Sequence, residues 1–180
     1  MGNQEIARLF RSVAVAYVIK DEKKFYFQAL AYQKASEMIG ASATEIKDLY
    51  REGKLQDMPG IGVTIRSRLE ELFKKGHVAH FKAVLRGIPE SVFVLINVPS
   101  IGPKKAYKLV KKLHLDNPKT AIEDLMFKAK NHEIAKIEGF GEKSEEDIVR
   151  ALLEYLEGKG KITRMVLPYA GEIAEKYSPT

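Results

Sequence analysis

The chain has 180 residues and a formal net charge of +6, from 30 lysine and arginine residues against 24 aspartate and glutamate residues. One domain or two small ones of this length can bury a core, so stability requires neither a metal nor a disulfide. The absence of cysteine excludes a thiol nucleophile and a disulfide scaffold. With no leader-like N-terminus and no run of about 18 apolar residues, we expect a soluble, unprocessed cytoplasmic protein with no membrane contact.

Apolar residues recur at helical spacing along nearly the whole chain, and no stretch alternates with a period of two, so the sequence predicts an all-α fold. The helices predicted in the first half run from an Asn3 cap to about Val18, from about Phe25 to Ile39, from a capping box of Ser42 and Glu45 to near Gly53, and from Gly62 to about Lys75.

Gly87-Ile-Pro89 is predicted to join two small helical domains, because glycine and proline interrupt the helical pattern there. We expect domains over residues 1–86 and 87–157 and a C-terminal arm over 158–180, interrupted by Pro168. The second domain is predicted to hold one helix from Gly102 to about Leu113, one capped by Asn117 with Pro118 first, and one from about Lys143 to Leu156.

One pattern occurs three times: an apolar residue, a short turn that ends in glycine, and an amphipathic helix. The copies are Met58-Pro-Gly-Ile-Gly62, Val98-Pro-Ser-Ile-Gly102 and Ile137-Glu-Gly-Phe-Gly141. Glycine permits positive φ and close approach of a nucleic-acid backbone, and the helix that follows directs unpaired N–H groups at a phosphate. We call these segments the first, second and third hairpins and predict that each belongs to a helix-hairpin-helix motif.

The hairpins differ in charge. Residues 54–75 hold five basic and three acidic residues, whereas residues 103–114 hold five lysines and no acid. Lys104, Lys108, Lys111 and Lys112 fall on one face of the second hairpin's helix, opposite an apolar face of Ala106, Leu109, Val110 and Leu113. Residues 138–150 hold two basic and five acidic residues. The sequence therefore predicts phosphate binding at the first two hairpins and a structural role for the third.

Several features have a purely structural interpretation. A run of lysines is often only a solvated helix face, although such faces usually mix the two signs of charge. Aromatic residues at helical spacing are more often core than base-stacking groups, so we predict that Phe27 is buried and leave Tyr32 open. His77 and His80 lack a completing ligand pattern and are expected at the surface or as caps.

Four segments together resemble the N-terminal, non-catalytic part of family X DNA polymerases, the DNA polymerase beta-like enzymes, and chiefly their bacterial and archaeal branch. They are Leu30-Ala-Tyr-Gln-Lys-Ala-Ser36, Gly53-Lys-Leu-Gln-Asp-Met-Pro-Gly-Ile-Gly62, Val98-Pro-Ser-Ile-Gly-Pro-Lys-Lys-Ala106 and Glu138-Gly-Phe-Gly-Glu-Lys143. The resemblance implies a lyase-like domain that holds a downstream 5′-phosphate, then a fingers or thumb domain that contacts the primer strand. It implies non-sequence-specific binding to duplex, gapped or nicked DNA during base excision repair, and a nucleoid-associated location.

The hairpin pattern and the resemblance together assign DNA contacts to Tyr32, Gly60, Gly62, Thr64, Arg66, Arg68, Ser100, Gly102, Lys104, Lys105 and Lys108. Ser100 stands where the family usually has glycine. The resemblance also implies a Na⁺ or K⁺ ion at each of the first two hairpins, held by the backbone carbonyls of Gln56, Met58 and Ile61 and of Ile96, Val98 and Ile101.

Two departures from the family concern catalysis. The sequence has no Asp-x-Asp pair to hold the metal ions of nucleotidyl transfer, so we expect no polymerase activity from these residues. The family's Schiff-base lysine is matched by Arg68, whose guanidinium stays protonated, and Gln28 and Thr64 replace basic residues of the 5′-phosphate pocket. The leading prediction is a DNA-binding module. The alternatives are a weak 5′-deoxyribose-phosphate lyase that uses Lys34, Lys74 or Lys75, and a helical protein-interaction scaffold; the oligomeric state stays open.

Overall fold

The computed structural model describes residues 1–158, and these residues form helices joined by turns, with no β-strand among them. This confirms the predicted all-α fold. The helices are α1 (Asn3–Asp21), α2 (Tyr26–Ala41), α3 (Ile46–Arg51), α4 (Val63–Lys75), α5 (Ala79–Leu85), α6 (Glu90–Leu95), α7 (Pro103–Leu113), α8 (Ala121–Lys130) and α9 over residues 142–158. A short 3₁₀ turn, Leu55–Asp57, precedes the first hairpin.

The chain divides into two compact units, Met1–Ile88 and Pro89–Thr180, and the division falls inside the Gly87-Ile-Pro89 segment. The first hairpin belongs to unit 1, and the second and third belong to unit 2. The predicted C-terminal arm lies outside the described residues except for Gly158. Among the helices of residues 1–158, none combines the length and apolar character that crossing a membrane requires.

Two predicted caps are wrong. Asn3 does not cap α1, which begins after Gly2; its buried side chain instead links the starts of two helices. The Asn3 Oδ1 accepts the Ile46 N–H at 2.8 Å, and its Nδ2 donates to the Thr44 carbonyl at 2.9 Å. The residue before α3 is Glu45, not Ser42. The hydrogen bonds of Asn3, in a distant part of the chain, stand in place of the expected capping box.

Asn117 and Pro118 also lie outside a helix, because α8 begins only at Ala121. The Asn117 Oδ1 accepts the Lys119 N–H at 3.0 Å, so this asparagine forms a turn of its own ahead of the helix. The helices α5 and α6 have seven and six residues and were not predicted. Helices this short show too few turns for periodicity to identify them.

Unit 1 is built on the long contact between α1 and α2. Phe10 is fully buried, with its ring centroid 5.8 Å from that of Tyr32 and 5.1 Å from that of Phe81. Between the two helices, the buried Ser36 hydroxyl donates to the Ala7 carbonyl at 2.7 Å. Tyr32, whose position the sequence left open, is therefore a core residue.

The prediction that Phe27 is buried is wrong, since its side chain is 78% exposed. It lies five positions before Tyr32 on α2, about 140° around a helix of 3.6 residues per turn. The face that carries Tyr32 packs on α1, and Phe27 therefore points away from the core. The consequence is an exposed aromatic ring close to the first hairpin.

The two histidines of unit 1 have structural partners, as predicted. His80 Nε2 and the Tyr17 hydroxyl are 2.7 Å apart, and His77 Nδ1 is 3.1 Å from the Lys75 carbonyl. Burial, with a smaller contribution from the charge of Arg68, lowers the pKa of His80. Within residues 1–158 no group of three or more His, Cys, Asp or Glu side chains is arranged to hold a metal ion.

Unit 2 packs the apolar face of α7 against its neighbouring helices. Ala106, Leu109, Val110 and Leu113 are all buried, which confirms the predicted division of this helix into a core face and a lysine face. Leu95, Leu125, Ile134, Ile148 and Leu152 complete the fully buried centre of the unit. Its two hairpins therefore rest on one core.

A buried carboxylate organises the approach to the third hairpin. Glu145, in the first turn of α9, accepts the N–H groups of Ile134 and Ala135 at 2.9 Å each and lies 2.8 Å from His132 Nδ1. Burial alone would raise the pKa of Glu145, but hydrogen bonds from Ala135, His132 and Ile134 lower it below its usual value. The negative charge is therefore a structural part of unit 2.

Replacing Glu145 with glutamine should destabilise unit 2 by about 1–3 kcal/mol, because a buried charged acceptor of backbone N–H groups is lost. A carboxylate with a lowered folded pKa contributes stability that is present above its unfolded pKa and disappears as the pH falls through the folded value. Urea unfolding of the full chain across the acid range should show this loss in the wild type and not in Glu145→Gln. The exposed Glu146→Gln is the matched control; equal effects of the two variants would contradict the role of Glu145.

Candidate nucleic-acid interface

Each hairpin turns through one residue at positive φ, two positions before the glycine that precedes the next helix. These residues are Gly60, Ser100 and Gly139, with φ values of 73°, 68° and 83°. The left-handed region strongly favours glycine, so the shared conformation identifies one turn used three times. The repeat predicted from the sequence is therefore also a repeat of backbone geometry.

A buried side chain anchors each turn. The residue after the positive-φ position is Ile61, Ile101 or Phe140, and each is less than a tenth exposed. In the second hairpin the Ile101 N–H donates to the Val98 carbonyl at 3.2 Å, and the third hairpin has the equivalent bond. Burial of the anchor fixes the turn on the core and leaves the two flanking positions at the surface.

The helices after the first two hairpins begin without a side-chain cap. Their N-cap residues are Gly62 and Gly102, whose carbonyls accept the N–H groups of Arg66 at 3.0 Å and Ala106 at 2.9 Å. The N–H groups of residues 63–65 and of Lys104 and Lys105 have no carbonyl to bond inside the helix, and Pro103 has no N–H. A Cβ placed on either glycine would meet no atom within 4 Å, so an anion can approach both helix starts.

The second hairpin carries the strongest positive charge. Lys104 and Lys105 are exposed in the first turn of α7, and Lys111 and Lys112 are exposed in its last turn. Only the first pair lies beside the hairpin, because α7 rises about 1.5 Å per residue and separates the two pairs by roughly 10 Å. The first pair is therefore the better placed to meet a phosphate bound at the helix start.

Lys108, which the sequence assigned to DNA, instead contacts the third hairpin. Its side chain is half-buried and its ammonium group donates to the Glu138 carbonyl in the third hairpin. A Cβ on Gly139 would lie 3.3 Å from the same nitrogen, so Lys108 is packed directly against the turn. Its contribution to DNA binding stays a prediction, and its observed role is to link the second and third hairpins.

The surface of the third hairpin is unsuited to an anion. Glu142, Glu146 and Asp147 are exposed in the first turns of α9, and Glu145 beneath them is buried and ionised. A phosphate at this helix start would meet several like charges at short range. The helix dipole is small beside such a cluster of full charges.

The first hairpin borders an open groove of about 550 Å³ between α2 and the start of α4. Phe27 and Val63, each 78% exposed, are on its apolar side, and Gln28, Tyr32 and Thr64 also line it. Sequence reasoning missed the exposed apolar residues, although the angular position of Phe27 on α2 could have indicated one of them. Thr64 is exposed and Arg66 is half-buried beside the same helix start.

Arg68, which the sequence assigned to DNA, is less exposed than a surface DNA contact would be. It is half-buried, is hydrogen-bonded to the buried Tyr32, and its Nη1 is 3.6 Å from a Glu71 oxygen. Burial raises the pKa of Tyr32, and the hydrogen bond and charge of Arg68 oppose that rise. Tyr32 and Arg68, both assigned to DNA from the sequence, thus contact each other.

The six carbonyls expected to hold monovalent cations lie in and before the first two turns. The Val98 carbonyl already accepts the Ile101 N–H, which leaves it one lone pair, and the others are ordinary backbone oxygens. Hard oxygen donors of this kind suit a group-one cation, so the donor set fits the implied ion. A bound cation would add positive charge beside the helix start.

Comparison with known proteins agrees with this geometry. Residues 1–78 match a helix-hairpin-helix domain, and residues 93–153 match a SAM-like helix-hairpin-helix tandem. The chain is similar to the DNA polymerase/3′-5′ exonuclease PolX of Bacillus subtilis (strain 168), with 28% identity over 154 residues. The match covers 86% of this chain and 25% of that protein, so the chain spans about a quarter of the relative's length. These matches support DNA binding in a polymerase-related region.

Replacing Lys108 with methionine should lower the melting temperature of the full chain, because the Glu138 carbonyl loses its charged donor, yet change DNA affinity little. Lys105→Met, at an exposed lysine, is the matched control. It should leave the melting temperature nearly unchanged and reduce the slope of log affinity against log salt by about 1. Melting curves and salt titrations of both variants check this, and the reverse pattern would place Lys108 in the DNA interface.

Proposed function

We propose that this chain, an N-terminal family X-like region with helix-hairpin-helix domains in both units, grips the DNA backbone at its first two hairpins without reading sequence. The observation that carries the proposal is the pair of uncapped helix starts at Gly62 and Gly102, each presented by a positive-φ turn. Backbone N–H groups at such a start bind phosphate oxygens whatever the base.

Charge supports the choice of these two hairpins. The second has Lys104 and Lys105 beside its helix start and no acid between residues 103 and 114. This positive charge attracts backbone phosphates whatever the base sequence. The third has the same turn but an acidic start to α9, and Lys108 is engaged with its carbonyl. The three hairpins share one backbone geometry. Because the third carries the opposite charge, we assign binding to the first two and a structural role to the third.

We further propose that the preferred DNA contains a gap, a nick or an end. Each unit holds one phosphate-binding hairpin, and the units are joined through the Gly87-Ile-Pro89 segment. Two linked sites on one molecule bind more tightly when both can be occupied, and interrupted duplex bends more easily than intact duplex. The similarity to a DNA polymerase/3′-5′ exonuclease is consistent with DNA as the partner, and a role in base excision repair and location at the nucleoid belong to the same proposal.

Monovalent cations are part of the same proposal. The carbonyl sets at Gln56, Met58 and Ile61 and at Ile96, Val98 and Ile101 would hold Na⁺ or K⁺ next to the bound phosphates. Such an ion would supply positive charge close to the phosphate and require no protein side chain. Binding in potassium or sodium buffers against a large organic cation at equal ionic strength would measure its contribution.

Lyase chemistry is not part of the proposed function. Imine formation joins an amine nitrogen to the sugar C1′ aldehyde carbon and releases water, so the amine must be able to lose its proton. A guanidinium cannot do so at a working pH, and Arg68 is held by Tyr32 and Glu71. The position that would be catalytic in the resembled family is here a structural cation.

Substitution at the N-cap glycines tests the binding proposal. Gly102→Leu and Gly62→Leu should weaken binding to duplexes of every sequence alike, because the new side chain blocks the approach to the helix start while its Cβ meets no atom of the chain within 4 Å. Gly141→Leu, equally open in the third hairpin, is the matched control and should leave affinity unchanged. The wild type should show a log–log salt slope of about −3 to −5, as expected for roughly 3 to 6 phosphate contacts.

A flat salt response or strong dependence on one base sequence would contradict the proposal. Equal losses in Gly102→Leu and Gly141→Leu would show that the third hairpin binds as well, contrary to the charge argument.

A second prediction concerns the absent nucleophile. Incubated with an incised abasic duplex and borohydride, the wild type should give no covalent adduct, because the guanidinium of Arg68, at the matched nucleophile position, cannot lose its proton, while Arg68→Lys should give a measurable one. Gel analysis of the reduced complex is the readout. A wild-type adduct that disappears in Lys34→Ala or Lys74→Ala would instead show an enzyme with a relocated nucleophile.

A further inference from the structure

Ser100 differs from its two counterparts in the other hairpins, which are glycines. It adopts φ 68°, inside the left-handed region, where a side chain costs conformational free energy that glycine avoids. Strain of this kind persists only where surrounding structure holds it, and it often coincides with a function. The burial of the neighbouring Ile101 and the bond from Ile101 N–H to the Val98 carbonyl hold it here.

In the other two hairpins a side chain at this position would have to displace a neighbouring side chain. A Cβ on Gly60 would lie 2.8 Å from the Met38 sulfur, and one on Gly139 would lie 3.3 Å from the Lys108 ammonium nitrogen. Ser100 is exposed, and among residues 1–158 its hydroxyl has no hydrogen-bond partner. The second hairpin therefore presents a side-chain donor at the turn itself, which its glycine counterparts lack.

We infer that the Ser100 hydroxyl donates a hydrogen bond to a phosphate oxygen of DNA bound at the second hairpin. This inference rests on the proposed function and adds to it a side-chain donor at the strained position. The hydroxyl lies two residues before the uncapped start of α7 and next to the lysine pair of its first turn, where phosphate is favoured. The strain at Ser100 is then a loss of stability that accompanies a gain in affinity.

The test measures stability and affinity in the same variants of the full chain. Ser100→Gly should raise the melting temperature, because the strain is relieved, and yet weaken binding to a nicked duplex roughly three- to tenfold, the effect of one hydrogen bond to a charged group. Ser100→Ala should weaken binding similarly without raising the melting temperature, because it loses the hydroxyl and keeps the strain.

His114 provides the matched control. It is an exposed residue at φ 54° at the opposite end of α7, so His114→Gly relieves the same kind of strain at a distance from the hairpin. It should raise the melting temperature and leave affinity unchanged. Comparing His114→Gly with Ser100→Gly thereby separates the effect of relieving backbone strain from the effect of losing the hydroxyl.

Affinity of Ser100→Gly equal to or tighter than that of the wild type would overturn the inference. If Gly102→Leu still abolishes binding in that case, the proposed function stands and only the role of the hydroxyl is lost. If the wild type fails to bind duplex DNA even at low salt, the proposed function and this inference fall together.

Discussion

The molecule depends on a turn in which one residue at positive φ is followed by a buried side chain and then by a glycine that precedes a helix. Burial of Ile61, Ile101 or Phe140 fixes the turn on its core. Because the side chain after the positive-φ residue points inward, the glycine after it lies at the surface, with the helix's unpaired N–H groups facing solvent. Packing therefore determines the position of an anion-binding helix start.

In the proposed function, charge then determines which copies of the turn bind DNA. The turn at Ser100 leads into a helix with five lysines, whereas the turn at Gly139 leads into one with a buried, ionised Glu145 and several exposed acids. Lys108, on the helix after the second hairpin, connects that helix to the third hairpin by donating to the Glu138 carbonyl. The third hairpin thus supports the second through the core and through this bond, and under the proposal unit 2 has one DNA interface built on two copies of one motif.

Much of this could be predicted from the sequence, because the hairpins are local. Glycine spacing, the apolar face of α7 and its lysines are all properties of neighbouring residues. The wrong predictions concern places where distant segments meet: Asn3 does not cap α1 but accepts the first N–H of α3, at Ile46, and Phe27 is exposed because α1 covers only one face of α2. The partners of Lys108 and Arg68 could likewise not be predicted, since Glu138 and Tyr32 are about 30 or more residues away in the chain.

The central claim is that the first two hairpins meet DNA through backbone N–H groups and the third does not. Amide chemical shifts of the full chain, followed by NMR during titration with a short nicked duplex at low salt, test it most directly. The account predicts large shifts for the amides of residues 63–66 and 104–106 and small ones for residues 142–145. Shifts of equal size at all three helix starts, or shifts confined to the third, would contradict it.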